Sequence, residues 1–343
     1  MQTRAHTHIY LYTHFCVLMC VFCGAFMQHW RTQLKHTFVF ILGAAAILFI
    51  YLMNCYEEPA GSDPGPYHVA YPRNYRFIMD NTSTCRSTTP FLVLMVPVAP
   101  GDAAARDLIR QTWGGESLVL GRRVETVFVT GLPGGGDAER TQRELRRESR
   151  RHGDLIQSDF RDSYHNLTIK TMVMLEWLAE RCRRSAFAVK VDSDVLLHVR
   201  NLVALLLEPG TARRNYVSGL VWWHSPVVRN PFVRFYMPRA VIAQSEYPPY
   251  PLGMAYVMSL DLPARILEVS PLIRPIYIED AYLGMCLQRL GVTPTDPPRG
   301  DMFLVAPRHP LTSCSLSKVV AVTTTSPSQM RSYWERSRED VHC

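Results

Sequence analysis

The sequence predicts an α/β fold in which helices flank a mostly parallel sheet. From residue 91 onward, apolar runs with the length of buried strands alternate with amphipathic runs. Strands and helices that alternate along a chain form layered sheets with parallel strands. The chain has 343 residues, of which 47% are hydrophobic and 20% are charged. This is the composition of a folded protein with one large domain.

The first element is a predicted membrane anchor over residues 37–56. Residues 37–53 (TFVFILGAAAILFIYLM) are uncharged and overwhelmingly apolar. As a helix they would span about 26 Å, close to the thickness of a thin bilayer. Basic residues precede this run and two glutamates follow it, so the positive-inside rule places residues 1–36 in the cytosol and the rest in a lumen. A cleaved signal peptide is the alternative, but the run is long for one and lacks a small-residue cleavage site.

An earlier apolar stretch, residues 9–27, makes this topology ambiguous. It is interrupted by His14, and if it also crossed the bilayer, the remainder of the chain would lie on the cytosolic side. Translation from Met27 removes the conflict and leaves a short basic tail before the anchor. N-terminal sequencing of the mature protein tests this hypothesis.

Residues 57–89 are expected to form an extended stem, because they are rich in Pro, Gly, Ser and Thr and show no apolar period. Residues 90–343 then form the folded luminal domain. Asn81 in the stem and Asn166 in the domain each begin an Asn-x-Ser/Thr sequon. Both are candidate glycosylation sites, although such triplets also occur by chance.

Charge and cysteine usage narrow the function classes. Much of the net charge of +7 comes from an arginine-rich run at residues 140–151, which alternates with glutamate as a solvated helix face does. No zinc-ligand spacing or RNA-binding motif accompanies it, so we expect no nucleic-acid partner. The dispersed cysteines match no metal-site spacing, which favours disulfides in an oxidising compartment and leaves their pairing open. They are Cys85, Cys182, Cys286, Cys314 and Cys343.

Four apolar runs predict buried strands, and three amphipathic runs predict the helices between them. The strands are residues 91–96, 124–131, 154–160 and 186–192. The helices are Ala103 to Trp113, Asp137 to His152 and Tyr164 to Cys182. In such sheets, ligands bind beyond the carboxyl ends of the strands.

Asp192 and Asp194 stand at such a strand end and form the first candidate site. Two carboxylates one residue apart are costly at the end of a buried strand unless they have partners. A hard divalent cation with a phosphate behind it would relieve that cost. A solvated turn with an Asx hydrogen bond is the alternative.

Two later segments carry further candidates. Prolines and aromatic residues lead through Tyr250 to Gly253 and a strand, which suggests a rigid binding loop, with packing at a turn as the alternative. Further on, an apolar face at residues 283, 286, 287 and 290 predicts a helix with Glu279 and Asp280 at its N-terminus. The helix dipole stabilises anions there, so these residues suit a surface cap. A carboxylate held ionised in a cleft is also what a general base requires.

Four motifs in order make the chain resemble the β-1,3-glycosyltransferases of glycosyltransferase family 31, most closely the β-1,3-galactosyltransferases. They are Arg106-x-x-x-Arg110-x-Thr-Trp-Gly, the Asp159-Phe-x-Asp-Ser-Tyr-x-Asn-Leu-Thr-x-Lys-Thr block, Lys190-x-Asp192-x-Asp194 and Glu279-Asp280-x-Tyr-x-Gly284. The resemblance covers nearly everything from Phe91 to Cys343. Several long motifs in the correct order are far more specific than any one of them.

The resemblance implies a GT-A fold, a UDP-sugar donor, Mn²⁺ and inversion at the anomeric carbon. Asp192 and Asp194 would hold the metal and, with Ser193, the nucleotide. Asp280 would be the base that removes a proton from the acceptor hydroxyl. Glu279, Tyr250 and Gly253 would shape the acceptor pocket. Arg106, Arg110 and Lys190 could meet the donor phosphates, with structural salt bridges as the alternative.

One position departs from the family pattern. Relatives carry a metal-ligating histidine near the C-terminus, and alignment on Cys314 and Ser326-Pro327 puts Thr323 in its place. The leading expectation is a single-pass type II protein of the Golgi membrane. It would transfer galactose from UDP-galactose, in β-1,3 linkage, to an N-acetylhexosamine-terminated glycan of a glycoprotein or glycolipid. The alternatives are N-acetylglucosamine transfer and, because of Thr323, a catalytically silent glycan-binding homologue.

Overall fold

The computed structural model describes residues 41–49, 69, 71, 74–80 and 82–339. Residues 41–49 are helical and belong to a unit of residues 1–59, separate from the unit of residues 60–343. Within the described ranges, no helix is both long enough and apolar enough to cross a bilayer. Most of the predicted anchor, the cytosolic region and Asn81 lie outside the described residues, so those predictions are not tested.

The larger unit alternates strands and helices as the sequence predicted. The strands are β1 (Phe77–Asp80), β2 (Leu92–Pro97), β3 (Leu118–Val119), β4 (Arg122–Leu132), β5 (Leu155–Arg161), β6 (Phe187–Val191), β7 (Val195–Leu197), β8 (Val217–Trp222), β9 (Tyr250–Ser259), β10 (Phe303–Leu304) and β11 (Ala321–Thr323). The helices are α1 (Ala103–Gln111), α2 (Ala138–His152), α3 (Leu167–Arg181), α4 (Val199–Leu207), α5 (Leu262–Val269), α6 (Glu279–Arg289), α7 (Ser313–Leu316) and α8 (Pro327–Ser337). Short 3₁₀ turns follow α1 at Trp113–Gly115 and precede α3 at Tyr164–Asn166.

The main sheet has the strand order β1-β5-β4-β2-β6-β9-β8, with β3 paired to β4. Strands β5, β4, β2 and β6 run parallel to one another. The prediction of a mostly parallel sheet was nevertheless wrong, because β1, β3, β8 and β9 join by antiparallel pairing. The residues between β8 and β9 contain no helix, and antiparallel neighbours need no helical crossover. The sheet is therefore mixed.

A second, smaller sheet has the order β10-β11-β7. Its central strand β11 comes from near the C-terminus and pairs antiparallel with β7, so that Thr323 lies opposite Val195. This pairing brings the C-terminal region beside the turn that carries Asp192 and Asp194.

The expected stem also needs a correction. Residues 77–80 form strand β1, which pairs with β5 at the edge of the main sheet. Cys85 forms a disulfide with Cys182 at the end of α3. The short apolar run at Phe77 buries Met79, so the folded unit begins before residue 90.

Apolar packing on both faces of the sheet fixes these elements. Helix α3 buries ten of its residues, which pack with α5 and α6 against one face of the sheet. Helices α1, α4 and α8 contribute to the core on the other face. Trp113 is fully buried and belongs to this core. The predicted apolar face of α6 is confirmed as well, since Leu283, Cys286 and Leu287 are buried.

Candidate active site

The candidate site lies at the carboxyl ends of β2 and β6. The chain enters the parallel part of the sheet at β2 and extends it first toward β4 and β5, then on the other side with β6. Such a reversal of strand order leaves a crevice at the strand ends, and this crevice is where open α/β sheets bind ligands. Asp192 follows β6 directly, and its backbone N–H donates to the Met254 carbonyl of β9 at 2.9 Å.

The turn after β6 is held by the backbone and by the C-terminal region. Val195 N–H donates to the Asp192 carbonyl at 3.2 Å. The Asp194 carbonyl accepts from Thr324 N at 2.8 Å and from Thr324 Oγ1 at 2.7 Å. The turn therefore leaves Asp194 exposed at the crevice, while its main chain is fixed by two hydrogen bonds.

The Thr323 hydroxyl is engaged in a hydrogen bond with the backbone of a neighbouring segment. Its Oγ1 accepts a hydrogen bond from the Ala306 N–H at 2.7 Å. The hydroxyl thus holds the 303–306 segment against β11. The sequence alignment placed residue 323 beside the Asp192–Asp194 turn, and the β7–β11 pairing agrees with that placement.

Lys190 is the cation at the centre of the site. Its Nζ lies 2.6 Å from Asp192 Oδ1 and 3.8 Å from Glu279 Oε1, and it donates to the Gly253 carbonyl. Only 4% of the side chain is exposed. Burial alone lowers the pKa of Lys190, but Asp192 and Glu279 outweigh that effect and hold the pKa above its ordinary value. Lys190 is therefore charged and bridges β6 to α6.

Gly253 connects Lys190 to Asp280 through its backbone. The sequence placed it in a loop before a strand, which was wrong, because it lies inside β9. The β8–β9 register shifts between Gly219 and Val221, and such a bulge re-aims the backbone locally. Gly253 N–H donates to Asp280 Oδ2 at 3.1 Å. A Cβ here would lie 3.0 Å from Glu279 Oε1 and 3.4 Å from Lys190 Nζ, so a side chain would crowd both ions.

Glu279 and Asp280 occupy the first turn of α6, as predicted. Asp280 Oδ1 also accepts from the Ala281 N–H at 2.9 Å. Burial raises the pKa of Glu279 and of Asp280, and Lys190 opposes the rise in both. One lysine therefore faces three carboxylates, since Asp192 belongs to the same group. We call Lys190, Asp192, Glu279 and Asp280 the carboxylate cluster.

The Asp192 side chain contacts Lys190 on one side and is partly exposed to solvent. Its surroundings raise the pKa of the Asp192 carboxyl above its ordinary value by desolvation, although 39% of the side chain remains exposed. Lys190 opposes this rise, while Glu279 and Asp194 add to it. The open face is the side from which a ligand can reach the carboxylate.

Tyr250 is the first residue of β9 and packs beside the cluster, whereas the sequence placed it in a rigid binding loop. It is 4% exposed, and its hydroxyl pairs with Ser225 Oγ at 3.0 Å. Burial raises the pKa of Tyr250 to about 12, and the charge of Asp280 contributes to the shift. The hydroxyl is therefore neutral at ordinary pH. Its contact with Ser225 helps to hold β9 in place.

Arg106 and Arg110 form structural salt bridges. Arg106 is 1% exposed and binds Glu148 at 2.7 Å through both Nε and Nη2. Arg110 binds Glu148 at 2.7 Å and Asp154 at 2.7 Å. These four residues, which we call the ion-pair network, tie α1 to α2 and β5. The described contacts thus support the structural alternative, and a role at the donor phosphates stays a prediction.

The structure adds two residues that sequence reasoning left without a role. Lys170 in α3 donates to the Val98 carbonyl at 3.1 Å and pairs with Asp162 at 2.7 Å. Asp162 also accepts from the Gly131 N–H at 2.8 Å. Burial lowers the pKa of Lys170, with Asp162 and Asp192 opposing that shift. A lysine within the apolar helix α3 was the signal that could have pointed to this pair.

The contacts at Asn166 favour a structural role for this sequon residue. Its side-chain nitrogen donates to the Arg161 carbonyl at 2.8 Å. Thr168, which completes the sequon, is fully buried and donates to the Ile276 carbonyl at 2.5 Å. Glycosylation of Asn166 stays a prediction that these contacts do not support.

Comparison with known proteins gives a consistent result. The family model described as Galactosyltransferase matches residues 104–298. The chain is 34% identical over 290 residues to β-1,3-galactosyltransferase 2 of Homo sapiens, covering 84% of this chain and 67% of that protein. It is 33% identical over 313 residues to β-1,3-galactosyltransferase 5 of Gorilla gorilla gorilla, covering 89% of this chain and 98% of that protein.

Two solved structures match at lower similarity. A structure titled WbbM bifunctional glycosyltransferase, in its apo form, matches with a TM-score of 0.41 at 10% identity, covering 72% of this chain and 50% of that chain. The mannosyltransferase PcManGT from Pyrobaculum calidifontis, solved with GDP-Man and Mn²⁺, matches with a TM-score of 0.33 at 17% identity, covering 74% of this chain and 63% of that chain.

Proposed function

Since this chain belongs to the galactosyltransferase family, among the β-1,3-galactosyltransferases of glycosyltransferase family 31, and is a hexosyltransferase, we propose its specific reaction. It transfers galactose from UDP-galactose, in β-1,3 linkage and with inversion, to an N-acetylhexosamine-terminated glycan. The acceptor is carried by a glycoprotein or a glycolipid.

The observation that carries this proposal is the connection from Asp192 through Lys190 and Gly253 to Asp280. Lys190 contacts Asp192 and the Gly253 carbonyl, while the Gly253 N–H contacts Asp280. Inversion in one step requires a base on the side of the anomeric carbon opposite the leaving group. In this proposal, Asp280 supplies the base, and the Asp192–Asp194 turn in the same crevice faces the leaving group.

Asp280 acts as the general base in this proposal. The acceptor oxygen forms a bond to the anomeric carbon, its proton passes to the Asp280 carboxylate, and the bond to UDP breaks with its electron pair. The hydrogen bonds from Gly253 and Ala281 fix the carboxylate, and its raised pKa moves it toward the operating pH. A base of this kind contributes roughly 10²- to 10⁴-fold to a reaction rate.

Glu279 and Lys190 position the base. Lys190 is buried between Asp192 and Glu279, so it keeps like charges together at the first turn of α6. Gly253 leaves room for Glu279, Lys190 and Asp280 because it has no Cβ. With Tyr250, these residues form the acceptor side of the crevice.

Asp192 and Asp194 would hold the metal ion, which we propose is Mn²⁺. Among the described residues, no group of three or more His, Cys, Asp or Glu side chains could hold a metal by itself. Two carboxylates at one exposed turn do fit a hard cation that shares its remaining ligands with water and substrate phosphates. When bound, such an ion neutralises the diphosphate leaving group.

The protein is further proposed to be a single-pass type II protein of the Golgi membrane, with residues 37–56 as its anchor. The Cys85–Cys182 disulfide supports an oxidising compartment for the folded unit. The partners are then the UDP-sugar donor, the glycan acceptor and the membrane itself.

Two alternatives use the same geometry. N-Acetylglucosamine transfer needs no change in Asp192, Asp194 or Asp280, since only the donor pocket differs. A silent glycan-binding homologue is favoured by Thr323, whose hydroxyl is engaged with Ala306. The intact Asp280 with its two backbone hydrogen bonds argues against a silent protein.

A screen of the purified protein against several UDP-sugars, with Mn²⁺ or EDTA and an N-acetylglucosamine-terminated acceptor, tests the proposal. UDP release with UDP-galactose, dependent on acceptor and lost in EDTA, is the expected result. Release with UDP-N-acetylglucosamine instead would establish the first alternative. Glycan binding without UDP release from any donor would establish the second.

A further inference from the structure

We propose that Trp222 is the platform for the second sugar of the acceptor glycan, counted from the sugar that receives the transferred hexose. This inference rests on the proposed function, because it assigns one end of the crevice to the acceptor. It names a residue for acceptor recognition outside the carboxylate cluster.

Trp222 stands at the end of β8 with an exposed ring. Its relative exposure is 46%, whereas its strand partner Tyr250 is 4% exposed. The two rings lie 6.1 Å apart between centroids at an angle of 48°. Tyr250 is itself held by Ser225 and packs against Tyr247. The indole thus lies against a fixed tyrosine ring, while nearly half of the residue's surface is exposed to solvent.

The same residues connect Trp222 to Asp280. Gly284 lies one helical turn after Asp280 in α6, on the same side of the helix. A Cβ on Gly284 would come 2.7 Å from Tyr250 Cβ, so α6 rests directly on Tyr250. Along β9, Tyr250 precedes Gly253 by three residues, and Gly253 N–H holds the Asp280 carboxylate.

The spacing indicates which sugar reaches the indole. Tyr250 stands between Trp222 and α6, since its ring lies 6.1 Å from the indole and its Cβ contacts the Gly284 position. Gly284 is itself one helical turn, about 5.4 Å, from Asp280. The Tyr250 side chain and one turn of α6 therefore separate the indole from the Asp280 carboxylate. A sugar with its hydroxyl at Asp280 therefore leaves Trp222 to the next sugar of the glycan.

The chemistry of Trp222 suits a sugar face. A rigid aromatic surface with solvent on one side offers contact to the apolar C–H face of a pyranose at low conformational cost. The neighbouring Trp223 has similar exposure, 43%, but its Nε1 donates to Asp296 at 3.1 Å. Because the Trp223 indole is already hydrogen-bonded to Asp296, a substitution of Trp223 is a matched control for one of Trp222.

The test is equilibrium binding of two saccharides to the full-length protein by saturation-transfer NMR. One is the β-methyl glycoside of N-acetylglucosamine, and the other is a disaccharide with β-linked N-acetylglucosamine at its non-reducing end. The wild-type protein is expected to bind the disaccharide more tightly. Trp222→Ala should weaken disaccharide binding about tenfold, on the scale of aromatic contact energies, and leave the monosaccharide unchanged. Trp222→Phe should retain most of the preference, and Trp223→Ala all of it.

Three results would overturn the inference: disaccharide binding unchanged in Trp222→Ala, equal weakening of both saccharides, or no saccharide binding by the wild type. The readout does not depend on catalysis. If the wild-type protein shows the Trp222-dependent preference yet transfers no sugar, the inference stands and the proposed transfer reaction fails.

Discussion

The ion-pair network and the carboxylate cluster are both groups of buried charges, yet they are built in opposite ways. In the network, Arg106 and Arg110 face Glu148 and Asp154 with contacts of 2.7 Å. Burial raises the pKa of Glu148, but the two arginines outweigh it and leave the pKa below its ordinary value. In the cluster, Lys190 pairs with Asp192 and Glu279, and the pKa values of Glu279 and Asp280 stay above their ordinary values.

This difference indicates that the ion-pair network has a structural role and that the carboxylate cluster has a chemical one. The network is balanced, so its ions stabilise the packing of α1 against α2. The cluster carries an excess of negative charge at a ligand crevice, and perturbed carboxylates in such a place mark functional sites. Changes in the network should therefore affect stability, and changes in the cluster should affect turnover.

The largest effect is expected from Asp194→Asn. Its side chain is exposed, so the free energy of unfolding should stay within about 0.5 kcal/mol of the wild-type value. Loss of the carboxylate that we propose holds the metal should lower kcat/KM by about 10³-fold, since such an ion contributes several kcal/mol. Parallel kinetics and urea unfolding measure both quantities. A stable variant with wild-type turnover would remove Asp194 from the site.

The opposite pattern is expected from Glu148→Gln. It leaves Arg106 buried without a charged partner, which costs about 3 kcal/mol in unfolding free energy. The folded fraction should keep its turnover, because Glu148 belongs to the network. Urea denaturation followed by activity per folded molecule checks this. A selective loss of kcat at full stability would assign the network to catalysis.

A smaller effect is expected from Gly253→Ala. The added methyl group would lie 3.0 Å from Glu279 Oε1, and relief of such crowding shifts neighbours at a cost of about 1 kcal/mol. We expect kcat to fall about tenfold because Asp280 is displaced. Gly300→Ala is the control, since a Cβ there meets nothing within 4 Å. Equal activity of both variants would show that the space at residue 253 is not needed.

The smallest effect concerns pH. Because the folded-state pKa of Glu148 is lowered, its stabilising contribution is present above its ordinary pKa of 4.5 and is lost as pH falls through the folded-state value. The difference in unfolding free energy between wild type and Glu148→Gln should therefore shrink below about pH 4.5. Denaturation curves between pH 7 and about pH 3 measure it. A difference that grows toward low pH would contradict the balanced network.

The sequence predicted the parallel core well because strands β2, β4, β5 and β6 are short apolar runs separated by periodic helices. It also placed Glu279 and Asp280 at a helix start. It did not predict the antiparallel half, since the 27 residues between Trp222 and Tyr250 carry neither helical nor strand periodicity. Strand pairing across such a gap depends on tertiary packing.

The sequence was least informative about which ions meet. Arg106 and Lys190 both precede acidic residues in recognisable motifs, and nothing local distinguishes them. Lys190 does pair with the nearby Asp192. The distant partners of the two cations, Glu148 and Glu279, are 42 and 89 positions away, so only the fold determines which cation is structural. Gly253 was placed before the strand because a bulge inside β9 has no clear sequence signature.

The most direct test of the account is Asp280→Asn, assayed for galactose transfer and, separately, for UDP binding. We expect the variant to fold, because the change removes one of three neighbouring carboxylates, and the amide cannot accept the acceptor proton. We predict a loss of at least about 10²-fold in kcat with unchanged UDP affinity. Normal turnover by this variant would contradict the assignment of Asp280 as the base.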